Sequence, residues 1–104
     1  MDMDAVTVAL EGAGFKHDDE LKGAHEESAT SNEMHTGGPY VIHGVWRKGL
    51  VSIVVEQNTD TIETDGMSVS TTHPPVAVVQ GPKGRAGCNP SDADLLLSLA
   101  VELA

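Results

Sequence analysis

A chain of 104 residues suits one small domain with a limited core, and Phe15, Tyr40 and Trp46 are its only aromatics, so that core must come from Val, Leu, Ile and Ala. Sixteen carboxylates against six cations give a net charge of −10, which repels nucleic acid and anionic membrane and steers toward basic surfaces. The single cysteine excludes an intramolecular disulfide, the acidic opening MDMDAV is unlike a secretory leader, and no apolar run reaches the roughly 18 residues that span a bilayer; the expectation is a soluble, cytoplasmic protein.

The first element is ambiguous. In DAVTVALEGAGF, Val6, Val8 and Leu10 alternate like a strand, while Val6, Leu10 and Ala13 fit one helical face. Asp2 or Asp4 as a cap and Gly12 and Gly14 as a stop favour a short helix, after which Phe15 re-enters the core. From Lys16 to Met34 the only bulky apolar residues are Leu21 and Met34, and Gly23 interrupts any helix, so 16–38 reads as an acidic, mobile segment with at most a turn or two of helix. Nine carboxylates stand against Lys16 and Lys22 in residues 1–33, a net of −7.

Residues 40–80 read as a sheet. Tyr40, Ile42 and Trp46 alternate with Val41, His43, Val45 and Arg47 in a first strand, and RKG turns the chain. Leu50 to Glu56 form a β-branched central strand, with Val51, Ile53 and Val55 on one side and Val54 on the other. QNTD is expected to turn, TIET to form a short strand, Asp65-Gly66 a hairpin turn and MSVST its return. Pro74 and Pro75 then reset the chain before VAVVQ. A helix over 91–103 closes the domain, with Ser91 as cap and Asp94 three residues on. Its polar stripe, Asp94, Ser98 and Glu102, is narrow. Leu95, Leu96, Leu97, Leu99, Ala100, Val101 and Leu103 take up the rest, more apolar surface than one sheet can cover. The expected architecture is a single α+β domain over 1–104. Its antiparallel sheet has four or five short strands in meander order, packed with the C-terminal helix and a short N-terminal helix on one face.

The motifs weigh against catalysis. GPKGRAG spaces Gly81, Gly84 and Gly87 around Lys83 and Arg85 ahead of the last helix, which could hold a phosphate on backbone N–H groups. The spacing is not that of a P-loop, Asp92 and Asp94 would oppose the anion, and Pro90 removes a donor, so a plain Gly/Pro loop is the stronger reading. Cys88 stands near Arg85, Lys83 and a helix start, conditions that lower a thiol pKa, and His43 or His73 would have to reach it as base; inert packing is the default for a lone cysteine. His17, His25, His35, His43 and His73 show no ligand spacing, so no metal and no cofactor are expected. Four cations outside the first 33 residues are too few for direct nucleic-acid binding.

These observations favour a non-enzymatic interaction protein that docks Asp18, Asp19, Glu20, Glu26 and Glu27 on a basic protein partner, as an inhibitor or regulator of a nucleic-acid-handling protein would. A phosphorylated-ligand binder or enzyme using Lys83 and Arg85 in the 81–88 loop is the alternative, and a structural homo-oligomer the third. A homodimer through Leu96, Leu99 and Leu103 fits any of the three.

Overall fold

In the computed structural model, which describes residues 3–36 and 40–104 and no side chains within 28–40, the protein is an α+β sandwich about one antiparallel sheet. The elements are α1 (Met3–Gly12), β1 (Lys16–His17), α2 (Asp19–Thr36), β2 (Tyr40–Lys48), β3 (Val51–Thr64), β4 (Met67–Thr72), β5 (Val76–Gly81), β6 (Gly84–Cys88) and α3 (Ala93–Glu102). The strands run β1-β2-β3-β5-β6 across the sheet, and β4 pairs with the far half of β3. The capping position Asp2, the side chains of Glu33, Met34, His35 and Tyr40, and the break at 37–39 lie outside the described residues.

Strand periodicity divides the core in two. Val51, Ile53 and Val55 of β3 point to one face with Trp46, Ala77 and Val79, and α1 and α3 cover them with Val6, Leu10, Leu96 and Ala100. Val54 points the other way, beside Ile42 and Val45, under Leu21 of α2. The helices therefore occupy both faces rather than one. α1 supplies part of the second surface that α3 requires, yet Leu95 remains 45% and Val101 77% exposed.

Alternation along β2 fails at one place. The register passes from Ile42 opposite Glu56 to Gly44 opposite Val55, so His43 is an extra residue. The bulge puts Ile42 on the α2 face with Val45 and Trp46 on the α1–α3 face, whereas strict alternation pairs Ile42 with Trp46. Gly44 is a packing requirement: a Cβ there would fall on the Trp46 indole, which is 1% exposed.

Four further differences have local causes. α2 runs unbroken through Gly23 because Asp18 caps it, accepting from Leu21 N at 2.9 Å, and because Leu21 has a sheet to rest on. No turn forms at 57–60; β3 is one strand of fourteen residues, since β2 pairs with it up to Asn58 and β4 takes over at Thr59. Residues 81–88 are a hairpin into β6, held by pairs from Gly81–Gly84 to Ala77–Cys88, not a loop running into a helix. The α3 cap is Asp92, accepting from Leu95 N at 3.2 Å, in place of Ser91.

Gly44→Ala is expected to destabilise the fold by about 1–3 kcal/mol, because the indole has no free volume into which to move. A thermal melt would show it, and an unchanged midpoint would mean that the indole is not seated on the strand.

Candidate protein-docking surface

β3 is longer than the sheet around it. At about 3.3 Å per residue its last six residues carry it about 20 Å beyond the final rung with β2. There it forms a two-stranded arm with β4 that accounts for the elongated 50 × 24 × 24 Å shape. The local sequence favours it: Thr59, Thr61, Ile62 and Thr64 on one strand and Val69, Thr71 and Thr72 on the other are all β-branched. The Asp65-Gly66 turn has both residues at positive φ, 52° and 77°, the twist that two-residue hairpins need.

Alternation gives the arm two unlike faces. Thr59–Thr72 and Thr61–Ser70 pair on one, their hydroxyls 3.1 and 3.2 Å apart, with Glu63 beside Ser68. Ile62 lies opposite Val69 on the other, between the Asp60–Thr71 and Thr64–Met67 pairs. Among the described residues no helix covers this face, and Ile62, Met67 and Val69 stand 65, 68 and 57% exposed on adjoining rungs. Its charges are Asp60, Glu63 and Asp65, with no Lys or Arg anywhere between Val51 and Gly81.

The root of the arm is pinned by polar contacts. The His73 ring meets Asp60 Oδ2 at 2.6 Å, and His73 N donates to Asn58 O at 2.9 Å. Gln57 donates to the His73 carbonyl at 3.1 Å and meets the His43 ring at 2.9 Å. Pro74 and Pro75 lack the N–H groups that would carry β4 into β5 unbroken. The pairing slips there by one residue, from Thr72 opposite Thr59 to Val76 opposite Glu56.

The remaining candidate residues are scattered. Of the five carboxylates expected to dock, Asp18 caps α2, Asp19 lies 2.9 Å from His17, and Glu26 lies 3.1 Å from Lys22; Glu20 and Glu27 are exposed. Leu96 is 1% exposed inside the domain's own core, which removes it from any interface, and Leu99 and Leu103 pack half-buried against that core. Lys83 sits in the β5–β6 turn, its N–H donating to Leu103 O at 3.1 Å, and Arg85 is exposed on β6. The three glycines are thus spread along a hairpin and cradle nothing at the start of α3.

The surroundings of Cys88 run against the activated-thiol reading. Burial and the nearby Asp92 carboxylate push its thiol above the ordinary value, the reverse of activation by Arg85 and Lys83. His43 and His73 are engaged with Gln57 and Asp60, and three strand spacings, about 14 Å, separate the Gly44 rung position from Cys88. Among the described residues no three of His, Cys, Asp and Glu come together as a metal-binding group, and no helix is long and apolar enough to cross a membrane.

The chain matches no protein-family model, no curated protein and no solved structure. The class is therefore set by architecture alone: a small α+β domain carrying a projecting β-arm.

Two measurements follow. Asp18→Ala should cost about 1 kcal/mol through the lost cap, read as a lower urea midpoint; no change would show that α2 stands without it. Alkylation of Cys88 should be slower than that of a free thiol at pH 8, with its rate still rising above pH 9. A raised pKa leaves less thiolate at any pH below it, and a rate already at its plateau at pH 8 would contradict the burial.

Proposed function

We propose that this is a small, cytoplasmic, non-enzymatic interaction protein that docks its acidic surface on a basic surface of another protein, with the β3–β4 arm as the docking element. The observation that carries the reading is the uncovered Ile62–Met67–Val69 face on an arm whose only charges are carboxylates. A two-stranded ribbon is marginal in water without a third layer, so burying this face against a partner benefits the arm as well as the complex. The apolar face supplies affinity, Asp65 at the tip supplies register, and Glu63 on the opposite face adds to the steering field. Glu20 and Glu27 on the solvent side of α2 extend the same negative field. A regulator or inhibitor of a nucleic-acid-handling protein would use such a surface, because carboxylates can occupy the places of phosphates.

The test is capture of binding proteins from the native host's lysate, at low and several-fold higher salt, with the wild-type chain beside Glu63→Gln/Asp65→Asn and Glu20→Gln/Glu27→Gln. A basic partner held at low salt and released at high salt is expected, and the arm variant should associate more slowly, with a flatter salt dependence. Identical capture by wild type and arm variant would rule out the arm as the docking element.

A further inference from the structure

The cations of this molecule are gathered toward one end, where they stand among carboxylates that include Asp18, Asp19 and Glu20, while the arm carries carboxylates alone. The arm leaves the sheet at the end where β2 begins and β5 starts, and all six cations lie toward the other end. Lys16 pairs with Arg47, Lys48 borders the β2–β3 turn, Lys83 forms the β5–β6 turn, Arg85 lies opposite Gln80, and Lys22 is in the opening turns of α2. Although carboxylates outnumber cations 16 to 6, only Lys22 has an ion pair among the described residues. Five cations have no carboxylate partner at one end, and Glu63 and Asp65 have no cation at the other.

The cationic end also has an apolar groove. It holds about 450 Å³ between α1, the β2–β3 turn and α3, and its lining includes Phe15, Lys48, Val51, Leu97 and Val101. Lys48 Nζ crosses its rim, donating to Ala13 O at 2.8 Å and lying 5.9 Å from the Phe15 ring centroid. Glu102 is the nearby carboxylate, on the side of Val101 that faces Asp94 and Ser98, outside the groove lining.

The geometry points to a second copy of this chain as the occupant: the arm of one copy seats its Ile62–Met67–Val69 face in the Phe15–Leu97–Val101 groove of another, with Asp65 at the arm's tip against Lys48. Apolar meets apolar and negative meets positive in a single placement, and each copy holds one half of the contact at each end. Donor and acceptor surfaces are different patches, so every copy that gives its arm still offers a groove. The contact closes as an exchanged pair or a ring, or continues as a fibre. This inference rests on the arm as a docking element and names the basic surface that it meets.

The experiment uses the full chain, its Ile62→Asp variant and its Val101→Asp variant. Each substitution is at a largely exposed position, so melting temperatures should stay within a few degrees of wild type. By light scattering at about 100 μM, wild type should run as a dimer or larger and dissociate as salt is raised, while each variant alone should run as a monomer. Mixed one to one, the two variants should form pairs and nothing larger, because Val101→Asp retains an arm and Ile62→Asp retains a groove. Should Ile62→Asp fail to fold, Glu63→Gln/Asp65→Asn serves in its place, with at least a tenfold weaker self-association as the expected loss. A monomeric wild type, variants that assemble as before, or a mixture that does not pair would each overturn the inference. A monomeric wild type that still captures a basic partner through its arm would overturn self-association alone and leave the proposed function standing.

Discussion

A β-strand has two edges, and what happens at the edges of β3 organises this protein. From Ser52 to Glu56 both edges are occupied, by β2 and β5, and Ile53, Val54 and Val55 between them are buried, Ile53 and Val55 fully. Beyond Asn58 the β2 edge is vacated, while β4 follows β5's edge with a one-residue slip. The same strand is therefore the centre of the core at one end and half of a bare ribbon at the other. Pairing with β2 and then β4 carries the strand through QNTD between its two β-branched runs, and the prolines at 74 and 75 mark where the sheet stops supporting it.

That division separates the chemistry as well. Where β3 is covered on both faces, the side chains are aliphatic and the helices close over them. Where it is uncovered, the apolar residues have no layer to meet, and the polar ones form ladders of hydroxyls. The covered end is also where the hairpin turns gather the cations. A protein with net charge −10 thus gathers its cations at one end, among carboxylates that include Asp18, Asp19 and Glu20, and leaves the arm with carboxylates as its only formal charges.

The elements that could be read from residues are those whose pattern is strong and local. The Val-rich run of β3, the Asp65-Gly66 turn, the strand after the prolines and the leucine-rich α3 all stand where periodicity puts them. Those that could not be read depend on neighbours. GRAGC has little β propensity and pairs because β5 offers it a register and because Ala86 and Cys88 meet the core face. α2 has a weak apolar face, and Leu21 on the sheet with Asp18 as cap is enough to extend it. The carboxylates nominated from sequence were those most crowded along the chain, and two of them turned out to have a neighbouring cation or histidine; the arm's face is spread over both strands of a hairpin, so proximity in sequence could not reveal it.

Composition by itself determined that the core would be aliphatic, that no disulfide could form within the chain, and that α3 would present more apolar surface than one sheet can cover. These are properties of residue types and short spacings, and they hold in any fold the chain adopts. Only the tertiary structure decided which face Trp46 takes, since a single extra residue at His43 inverts the alternation. It also decided that Leu96 is interior and Ile62 exterior, although both are large and apolar. The reason is that burial belongs to the layer above a residue rather than to the residue: α3 lies on β5 and β6, whereas among the described residues no helix packs over the apolar face of the arm.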